Sequence, residues 1–498
     1  MDNEIKEEPK NKINPQVILS EKPFPYNIRK WLPEIEPEKI IPKLKHPNYL
    51  TRVVQYNILS DSLLPISTKI VEEDLVKLPH LSWENRSKKI LSELKTLNGD
   101  LVALTEFEKD EKFIKELNSY GYEFSFKPRT GNHSEGCAIA WKFEKYELID
   151  LLSINFNINK TEKNKSDIFN RENIALIGIF KVVGIPDTVV LFSTTHLVFN
   201  FKRGDIKLGQ IVQLTRALEE LRKKYEDELK NKVYIILASD LNCVPRSGVY
   251  KLLTNGEINC NQINKINISG QDLENLQYVE NPSKIRTYLF NKITSIFKEE
   301  KPKQKYKNNF NITDYNDNKK EGLPSQENIS WFNEVCRIKP LIKDHNINLE
   351  YDDKYIYKDF DLILKIPFVF KSAYATMAKN FLEYYNDKYK EIPFNLIENL
   401  DQVEINALKM GKKEVEKTND FVKNLTMENP FSYYSNDTVM SLDYIFFYNK
   451  TDDIKVARIL NGPDMFQVFF HIGYMPNEIF PSDHISIAAD LILGGENK

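Results

Sequence analysis

The sequence predicts an α/β fold in which two stacked β-sheets form a sandwich with helices on the outside. Three observations predict it: strand-like apolar runs recur between residues 50 and 256, helical patterns alternate with them, and more strand patterns return near the carboxyl end. A helix that is apolar along one stripe must bury that stripe against another element. We therefore expect the helices to cover the outer faces of the two sheets.

The pattern begins with two strand–helix pairs. TRVVQYNIL predicts a strand and NRSKKILSELKTL a helix. DLVALTEF predicts the next strand, and EKDEKFIKELNSYG predicts a helix that ends at Gly121. Further strands are predicted, in chain order, by EFSFKPR, CAIAWKF, YELIDLLSINF, IALIGIFKVV and DTVVLFSTTHLV.

A longer helix is predicted next, because apolar residues recur at steps of three and four. Its apolar face consists of Leu208, Ile211, Leu214, Leu218 and Leu221. VYIILASDLN then predicts a strand, and SGVYKLLTNG predicts a short capped helix. Near the carboxyl end, LDYIFFYN, DIKVARIL and HISIAADLIL predict the closing strands.

The composition changes along the chain, and these changes predict how the chain is divided into a tail, a domain and an insertion. Residues 1–20 are rich in Lys, Glu and Asn and predict a disordered tail, and residues 21–46 form a lead-in segment. The sandwich domain is predicted over 47–256 and 366–498. Residues 257–365, rich in Asn, Lys, Asp and Tyr, predict a long insertion within it, and a binding module there is the alternative.

Overall composition excludes several classes of protein. Hydrophobic residues make up 41% of the 498 residues and charged residues 28%, as in a globular protein, and the net charge of −3 excludes a generally polybasic nucleic-acid binder. The polar start fits no secretory signal, and no apolar run is long enough to span a membrane. The four cysteines are far apart and favour a reducing compartment. They are Cys137, Cys243, Cys260 and Cys336. We therefore expect an intracellular protein that is located in the cytoplasm, with the nucleus as the alternative.

Polar side chains mark the ends of several predicted strands. They are Asn57, Glu106, His196, Asp240, Asn242, Asp443, Asp483 and His484. Each alone has an ordinary structural explanation: a turn former, a carboxylate before a helix, or a buried, hydrogen-bonded histidine. Together they supply carboxylate and amide oxygens and two imidazoles without a thiolate, which is typical of a Mg²⁺ or Mn²⁺ site rather than a zinc site. This chemistry suits attack of water on a phosphodiester.

These residues, in this order, resemble the endonuclease/exonuclease/phosphatase superfamily. Within it they are most similar to the deadenylase-type branch, which includes the Angel proteins, nocturnin and the carbon-catabolite-repression deadenylases. The resemblance covers most of 47–256 and 366–493. The stretches that carry it include VVQYNILSDSLL, LVALTEFEKDEKF, STTHLVFNFKRGDIKLGQ, ILASDLNCVPRSG, SLDYIFFYN and PSDHISIAA. The RTG and GCA stretches, with RGDIKLGQ and NISGQD, favour the Angel subgroup. The resemblance implies a DNase I-like sandwich with its site at one rim.

The resemblance also implies a role for each strand-end residue. Glu106 would bind the catalytic Mg²⁺, which Mn²⁺ can replace, and Asn57 and Asp483 would complete its surroundings.

The remaining strand-end residues would act on the phosphate and the water. Asp240 would position or deprotonate the attacking water, and Asn242 would hold a phosphate oxygen or the water. Asp443 would orient His484, whose imidazole would stabilise charge on the phosphoryl oxygens. His196 would contact the phosphate.

The resemblance also indicates substrate contacts. Phe431 stands where relatives place a base-stacking aromatic residue, and Phe201 replaces a proline common in relatives, so it either stacks on a base or packs. Basic side chains that either contact phosphates or form solvated surface are Arg129, Lys202, Arg203 and Lys207.

The leading function that follows is a Mg²⁺-dependent 3′–5′ exoribonuclease of the poly(A)-deadenylase type, acting on single-stranded RNA 3′ ends in mRNA decay. Removal of a 2′,3′-cyclic phosphate from RNA ends, as the Angel resemblance implies, stays open. So does a catalytically weak scaffold that binds RNA or a translation factor. A protein partner could bind through residues 257–365, and no leucine-rich repeats that would dock a partner are seen.

Overall fold

The two-sheet architecture predicted from the sequence is confirmed. The computed structural model describes residues 29–33, 36–64, 79–157, 170–245, 247–260, 268–270, 363–377, 428, 432–435, 438–462 and 475–494. Its helices are α1 (Pro37–Ile40), α2 (Trp83–Leu97), α3 (Glu111–Ser119), α4 (Gly204–Arg222) and α5 (Gly248–Asn255). Its strands up to the long gap are β1 (Trp31–Leu32), β2 (Leu50–Asn57), β3 (Leu101–Glu108), β4 (Tyr122–Pro128), β5 (Glu135–Lys142), β6 (Tyr146–Asn157), β7 (Asn170–Val182), β8 (Thr188–Thr195), β9 (Lys232–Asp240) and β10 (Glu257–Asn259). The later strands are β11 (Ile363–Lys365), β12 (Lys371–Ser372), β13 (Tyr433–Ser435), β14 (Thr438–Met440), β15 (Asp443–Tyr448), β16 (Ile454–Leu460) and β17 (Ile487–Leu493).

Thirteen of these strands form one seven-stranded and one six-stranded sheet, and the other four form two two-stranded sheets, β10-β11 and β13-β14. The first has the order β1-β16-β17-β2-β3-β5-β4 and the second β12-β15-β9-β8-β7-β6. Each sheet contains a parallel pair, β2 with β3 and β8 with β9. The carboxyl ends of parallel neighbours lie at the same edge of a sheet, so this topology brings four strand ends to one rim of the sandwich.

The core consists of three apolar layers. The inner layer lies between the sheets and contains Val53 and Ala103 of the first sheet and Phe192 and Ile236 of the second. The outer layers lie between the first sheet and the apolar faces of α2 and α3, and between the second sheet and α4 and α5. The helices therefore cover the outside, as the apolar stripes predicted.

Local chemistry sets the helix ends. The Asp110 carboxylate accepts hydrogen bonds from the backbone amides of Lys112 and Phe113, so α3 begins at Glu111. Its end matches the prediction, since Gly121 follows with a positive φ of 83°. No helix in the described ranges is long and apolar enough to cross a membrane.

Two strands differ from the sequence prediction. β17 begins at Ile487 rather than directly after His484, which instead bridges to Tyr433. The segment called a lead-in contributes β1, which pairs with β16 at the edge of the seven-stranded sheet. A two-residue strand is too short to give a periodic pattern, so the sequence did not predict it.

The proposed insertion begins and ends in paired strands. β10 and β11 are antiparallel, with Asn259 opposite Ile363. Most of 257–365 and all of residues 1–20 lie outside the described residues, so the domain division stays a prediction.

Candidate active site

The polar strand-end residues converge at one rim of the sandwich. Asn57 ends β2 and Asp240 ends β9. His196 follows β8 and bridges to Asp240. Because β15 runs antiparallel to β9, its first residue, Asp443, lies directly opposite Asp240.

Backbone strain marks two of these positions. Glu106 and Asn242 have positive φ values of 57° and 45°, in the left-handed region that side chains other than glycine rarely adopt. At Glu106 the pairing of β3 with β5 shifts register between Thr105 and Phe107, as in a β-bulge, which redirects the carboxylate. Such strain concentrates at functional sites, where the surrounding structure maintains it.

The metal ligands predicted from the sequence are Asn57, Glu106 and Asp483, and this group is called the metal side. The Asn57 amide donates from Nδ2 to Glu106 Oε1 at 2.9 Å and to Asp240 Oδ2 at 2.9 Å. Its oxygen accepts from the Leu59 amide at 3.0 Å, so in this orientation Asn57 holds the carboxylates rather than presenting an oxygen to a cation.

The charges on the metal side fit a hard divalent cation. Burial is the main cause that raises the pKa of Glu106; His196 lowers it, and the negative charge of Asp483 raises it again. A cation beside these oxygens would relieve both the burial cost and the repulsion. The residues that would hold Mg²⁺ are therefore Glu106 and Asp483.

A second group of possible ligands consists of Asp240, Asp443 and His484, whose ligand atoms lie within 4.8 Å of one another. His484 Nδ1 is 2.7 Å from Asp443 Oδ2, so that nitrogen and that oxygen are engaged with each other. The group has the geometry of an oriented imidazole more than that of a metal site.

Asp240 lies at the centre of the site. Its Oδ1 accepts from the Asn242 amide at 2.8 Å, and its Oδ2 lies 3.6 Å from His196 Nε2 and 3.7 Å from His484 Nε2. Burial, and then the charge of Asp443, raises the pKa of Asp240 to about 7. A carboxylate whose pKa is near neutrality is suited to accept a proton from water.

His484 is held as a cation. Burial alone lowers its pKa, but the carboxylates of Asp443, Asp240 and Asp483 outweigh burial and raise it to about 10. Asp443 Oδ1 also accepts from Gln55 Nε2 at 3.2 Å, which fixes the carboxylate.

His196 is held neutral. Burial lowers its pKa to about 4, although Glu106 acts in the opposite direction. Its Nε2 lies 2.7 Å from Asn242 Nδ2, which also donates to the Leu197 carbonyl at 3.0 Å. Since an amide nitrogen is only a donor, His196 Nε2 accepts and its proton resides on Nδ1.

The predicted substrate contacts differ in outcome. Phe431 lies outside the described residues. Phe201 is partly buried, with Lys202 Nζ 5.6 Å from its ring centroid, and stacking on a base stays a prediction. Arg129 is partly exposed and pairs with Glu135, close enough to His196 for its charge to lower the pKa of that imidazole.

Lys207 corrects the sequence interpretation. Its side chain is fully buried, and its ammonium donates to the carbonyl oxygen of Asn242, so it does not face the substrate. Burial lowers its pKa to about 7. Lys207 supports the strained Asn242 turn from behind. Arg203, another candidate, forms an ion pair with Asp205 at 3.0 Å.

Gln55 and Ser432 were missed by the sequence analysis. The Ser432 hydroxyl accepts from the Asp443 amide at 2.9 Å, while Gln55 fixes the Asp443 carboxylate. Gln55 had a usable signal: it is a polar residue inside an apolar strand, two positions before Asn57 and thus on the same face.

Comparison with known proteins shows which proteins this chain is similar to. Residues 54–276 match the family model described as the endonuclease/exonuclease/phosphatase family. Carbon catabolite repressor protein 4 homolog 3 of Arabidopsis thaliana is 30% identical over 220 residues, 44% of this chain and 46% of that protein. Protein angel homolog 2 of Homo sapiens is 30% identical over 227 residues, 44% of this chain and 40% of that protein.

The chain thus matches less than half the length of these curated relatives. A crystal structure of ANGEL2, described as a 2′,3′-cyclic phosphatase, has a TM-score of 0.57 at 20% identity and covers 89% of this chain and 95% of that one. These findings confirm both the DNase I-like fold and the predicted resemblance to the Angel and carbon-catabolite-repression relatives.

Proposed function

We propose that this protein is a Mg²⁺-dependent phosphodiesterase that acts on RNA 3′ ends as a 3′–5′ exoribonuclease of the deadenylase type. The proposal starts from the match to the endonuclease/exonuclease/phosphatase family. Enzymes of this family hydrolyse phosphoester bonds, typically with a divalent metal. The observation that carries the proposal is the surroundings of Asp240 Oδ2. That oxygen lies 2.9 Å from the Asn57 amide nitrogen and 3.6 and 3.7 Å from the Nε2 atoms of His196 and His484.

Each group has a place in the proposed hydrolysis. Asp240 accepts a proton from the attacking water, and Asn242 holds the water or a phosphate oxygen. The cationic His484, oriented by Asp443 at 2.7 Å, stabilises negative charge on the phosphoryl oxygens. His196, being neutral, contacts the phosphate through the proton on Nδ1. A Mg²⁺ ion bound by Glu106 and Asp483 would supply charge neutralisation at the same phosphate.

The bonds change as follows. The water oxygen forms a bond to phosphorus, and the bond from phosphorus to the 3′ oxygen of the preceding nucleotide breaks. That oxygen takes a proton from solvent, so the shortened RNA ends in a 3′-hydroxyl and the released nucleotide carries a 5′-phosphate.

A second candidate activity is removal of a 2′,3′-cyclic phosphate from RNA ends. It is favoured by similarity to protein angel homolog 2 and to the structure described as a 2′,3′-cyclic phosphatase. The two activities require the same metal and water and differ in how the terminal ribose and phosphate are seated.

One assay separates them. Purified protein is given an oligo(A) RNA with a 3′-hydroxyl and an RNA of equal length with a 2′,3′-cyclic phosphate, and the products are resolved by denaturing gel and mass spectrometry. Shortening of the first RNA with the cyclic end of the second left intact supports the exoribonuclease and excludes the phosphatase. Loss of the cyclic phosphate without shortening of either RNA supports the phosphatase.

A Glu106→Ala variant tests whether the protein is an enzyme or an RNA-binding scaffold. We expect loss of the metal-dependent activity on whichever RNA the wild type consumes, with RNA binding retained. Glu111→Ala is the matched control, because Glu111 has a side chain that is 75% exposed and pairs with Lys109. Activity in Glu106→Ala equal to that of the wild type would contradict the assigned site.

A further inference from the structure

A fully buried guanidinium lies directly behind the metal side. Arg86, in the first turn of α2, is 0% exposed. Its Nη1 donates to the carbonyl oxygens of Leu59 at 2.7 Å, Ile58 at 3.0 Å and Pro481 at 3.2 Å. Its Nε donates to the Leu81 carbonyl at 3.1 Å. The charge of Arg86 is thus satisfied mainly by backbone oxygens from three separate segments.

Two of those segments carry the metal side. Ile58 and Leu59 directly follow Asn57, and Pro481 precedes Asp483 by two residues. Leu59 has a positive φ of 52°, a conformation that a leucine seldom adopts unless its surroundings hold it there. Arg86 accordingly fixes a strained turn on one side of the site and joins it to the segment on the other side.

Ser482 joins the same two segments at a second point. Its hydroxyl donates to the Asn57 carbonyl at 2.7 Å and accepts from the His484 amide at 3.1 Å. The segment after β2 and the segment before β17 are therefore held together by one guanidinium and one hydroxyl.

The chemistry of the two residues explains why they suit this role. A guanidinium offers five donors in a rigid plane and can contact several carbonyls at once, whereas an ammonium offers three donors from one atom. The ion-pair partner of Arg86, Asp61, is 3.5 Å away with its side chain 55% exposed, so it neutralises the buried charge weakly. The positive charge of Arg86 also lies close enough to Asp483 to interact with its carboxylate.

We propose that Arg86 and Ser482 are positioning residues that set the spacing between Glu106 and Asp483 and thereby the affinity of the site for its divalent cation. This inference rests on the proposed function only in requiring that the metal side bind a cation.

The test measures metal binding directly. Metal-free protein is titrated with Mn²⁺ and the free ion is counted by electron paramagnetic resonance. We expect Arg86→Lys to weaken binding roughly 10- to 100-fold, as loss of residues that orient metal ligands typically does. We expect Ser482→Ala to weaken it roughly 2- to 10-fold, as for loss of the one hydrogen bond that joins the two segments, from the Ser482 hydroxyl to the Asn57 carbonyl.

Arg458→Lys is the control variant. Arg458 is 3% exposed and pairs with the buried Asp490 at 2.6 Å, but it lies in β16, outside the rim. Its replacement should lower the melting temperature without changing Mn²⁺ affinity. Excess metal should restore activity in Arg86→Lys, a rescue that a purely structural residue would not permit.

The outcomes separate this inference from the proposed function. Failure of the wild type to bind Mn²⁺ refutes the metal side itself. If the wild type binds Mn²⁺ and both variants bind it with the same affinity, the positioning role is overturned. Should Arg86→Lys fail to fold, Ser482→Ala decides, since it removes one hydroxyl: weakened binding supports the inference and unchanged binding overturns it.

Discussion

The two histidines of the site both approach Oδ2 of Asp240, at 3.6 and 3.7 Å, yet they differ in charge state. In the His196 region the ring accepts a hydrogen bond from the Asn242 amide, and burial lowers the pKa to about 4. In the His484 region the ring pairs with Asp443 at 2.7 Å, and the surrounding carboxylates raise the pKa to about 10 despite burial. The residue type is the same, yet one imidazole is neutral and the other is a cation.

The comparison teaches that the hydrogen-bond partner of the ring decides its charge state: Asn242 at Nε2 of His196 and Asp443 at Nδ1 of His484. An amide donor leaves a neutral ring that donates through Nδ1, whereas a carboxylate partner holds a proton on both nitrogens. A site that must both contact a phosphate and offset developing charge gains from having one of each. The following predictions test this difference, beginning with the largest effect.

Asp240→Asn should break both regions together, because Oδ2 of Asp240 lies within 3.7 Å of both imidazoles. We expect the catalytic rate to fall by roughly 10⁴-fold, the upper range for loss of a general base. Single-turnover kinetics on the RNA that the wild type consumes measures the change. Asp187→Asn, at an exposed turn with a positive φ of 55°, is the control and should keep full activity. A fall of less than tenfold would contradict the central role of Asp240.

Asp443→Asn should break the His484 region alone. Without the Asp443 carboxylate, the His484 ring loses the main interaction that stabilises its protonated form. We therefore expect kcat to fall roughly 10²- to 10³-fold with KM little changed. Breaking a buried ion pair should also lower the free energy of unfolding by on the order of 3 kcal/mol. Urea denaturation measures the second effect; unchanged stability would mean that His484 is not a cation in the folded protein.

His196→Gln should affect the other region more mildly. Glutamine retains a hydrogen-bonding group at a position that carries no charge, so we expect roughly a 10- to 100-fold loss of rate and little loss of stability. The catalytic rate and the free energy of unfolding, measured by urea denaturation, are compared with those of Asp443→Asn. His46→Gln, at the start of a short 3₁₀ turn outside the rim, is the control. Equal losses of stability in the variants of the two regions would refute the difference in charge.

The charge states themselves can be observed in the unmodified protein. In metal-free protein at pH 7, we expect the NMR signals of the His484 ring to be those of an imidazolium and the signals of the His196 ring to be those of a neutral Nδ1–H tautomer. Between pH 5 and 8 neither ring should gain or lose a proton, because the two pKa values lie near 10 and near 4, although the signals can shift as the neighbouring Asp240, with a pKa of about 7, titrates. Titration of both rings near pH 6.5 would show that the two regions are equivalent.

Sequence reasoning found the strand-end residues because an apolar run that stops at a carboxylate or imidazole is visible without knowing its neighbours. It failed at Lys207 although the information was present: Lys207 precedes Ile211 by four residues and Leu214 by seven, so the helical period places it on the buried face of α4. A charged residue was judged by its type rather than by its position in the helix.

Arg86 could not be predicted from sequence. A basic residue in the first turn of an amphipathic helix ordinarily faces solvent, and the carbonyl groups that satisfy Arg86 come from Ile58 and Pro481, far apart in the chain. When the partners of a buried polar group are backbone atoms, no residue type in the sequence indicates where those partners are. The same applies to β1, which exists because β16 offers it an edge.

The antiparallel pairing of β10 with β11 bears on how the gene for this protein can change. The chain leaves β10 at Asn259 and re-enters β11 at Ile363, and these two residues face each other. Any segment that connects them closes a ring whose ends are already adjacent, and each doubling of such a segment costs only about 0.6 kcal/mol of closure entropy. Changes of length should therefore cost little folding free energy, except near Cys260 and Ile268, which are buried in the core, so the rest of this segment can diverge in length while the rim stays unchanged.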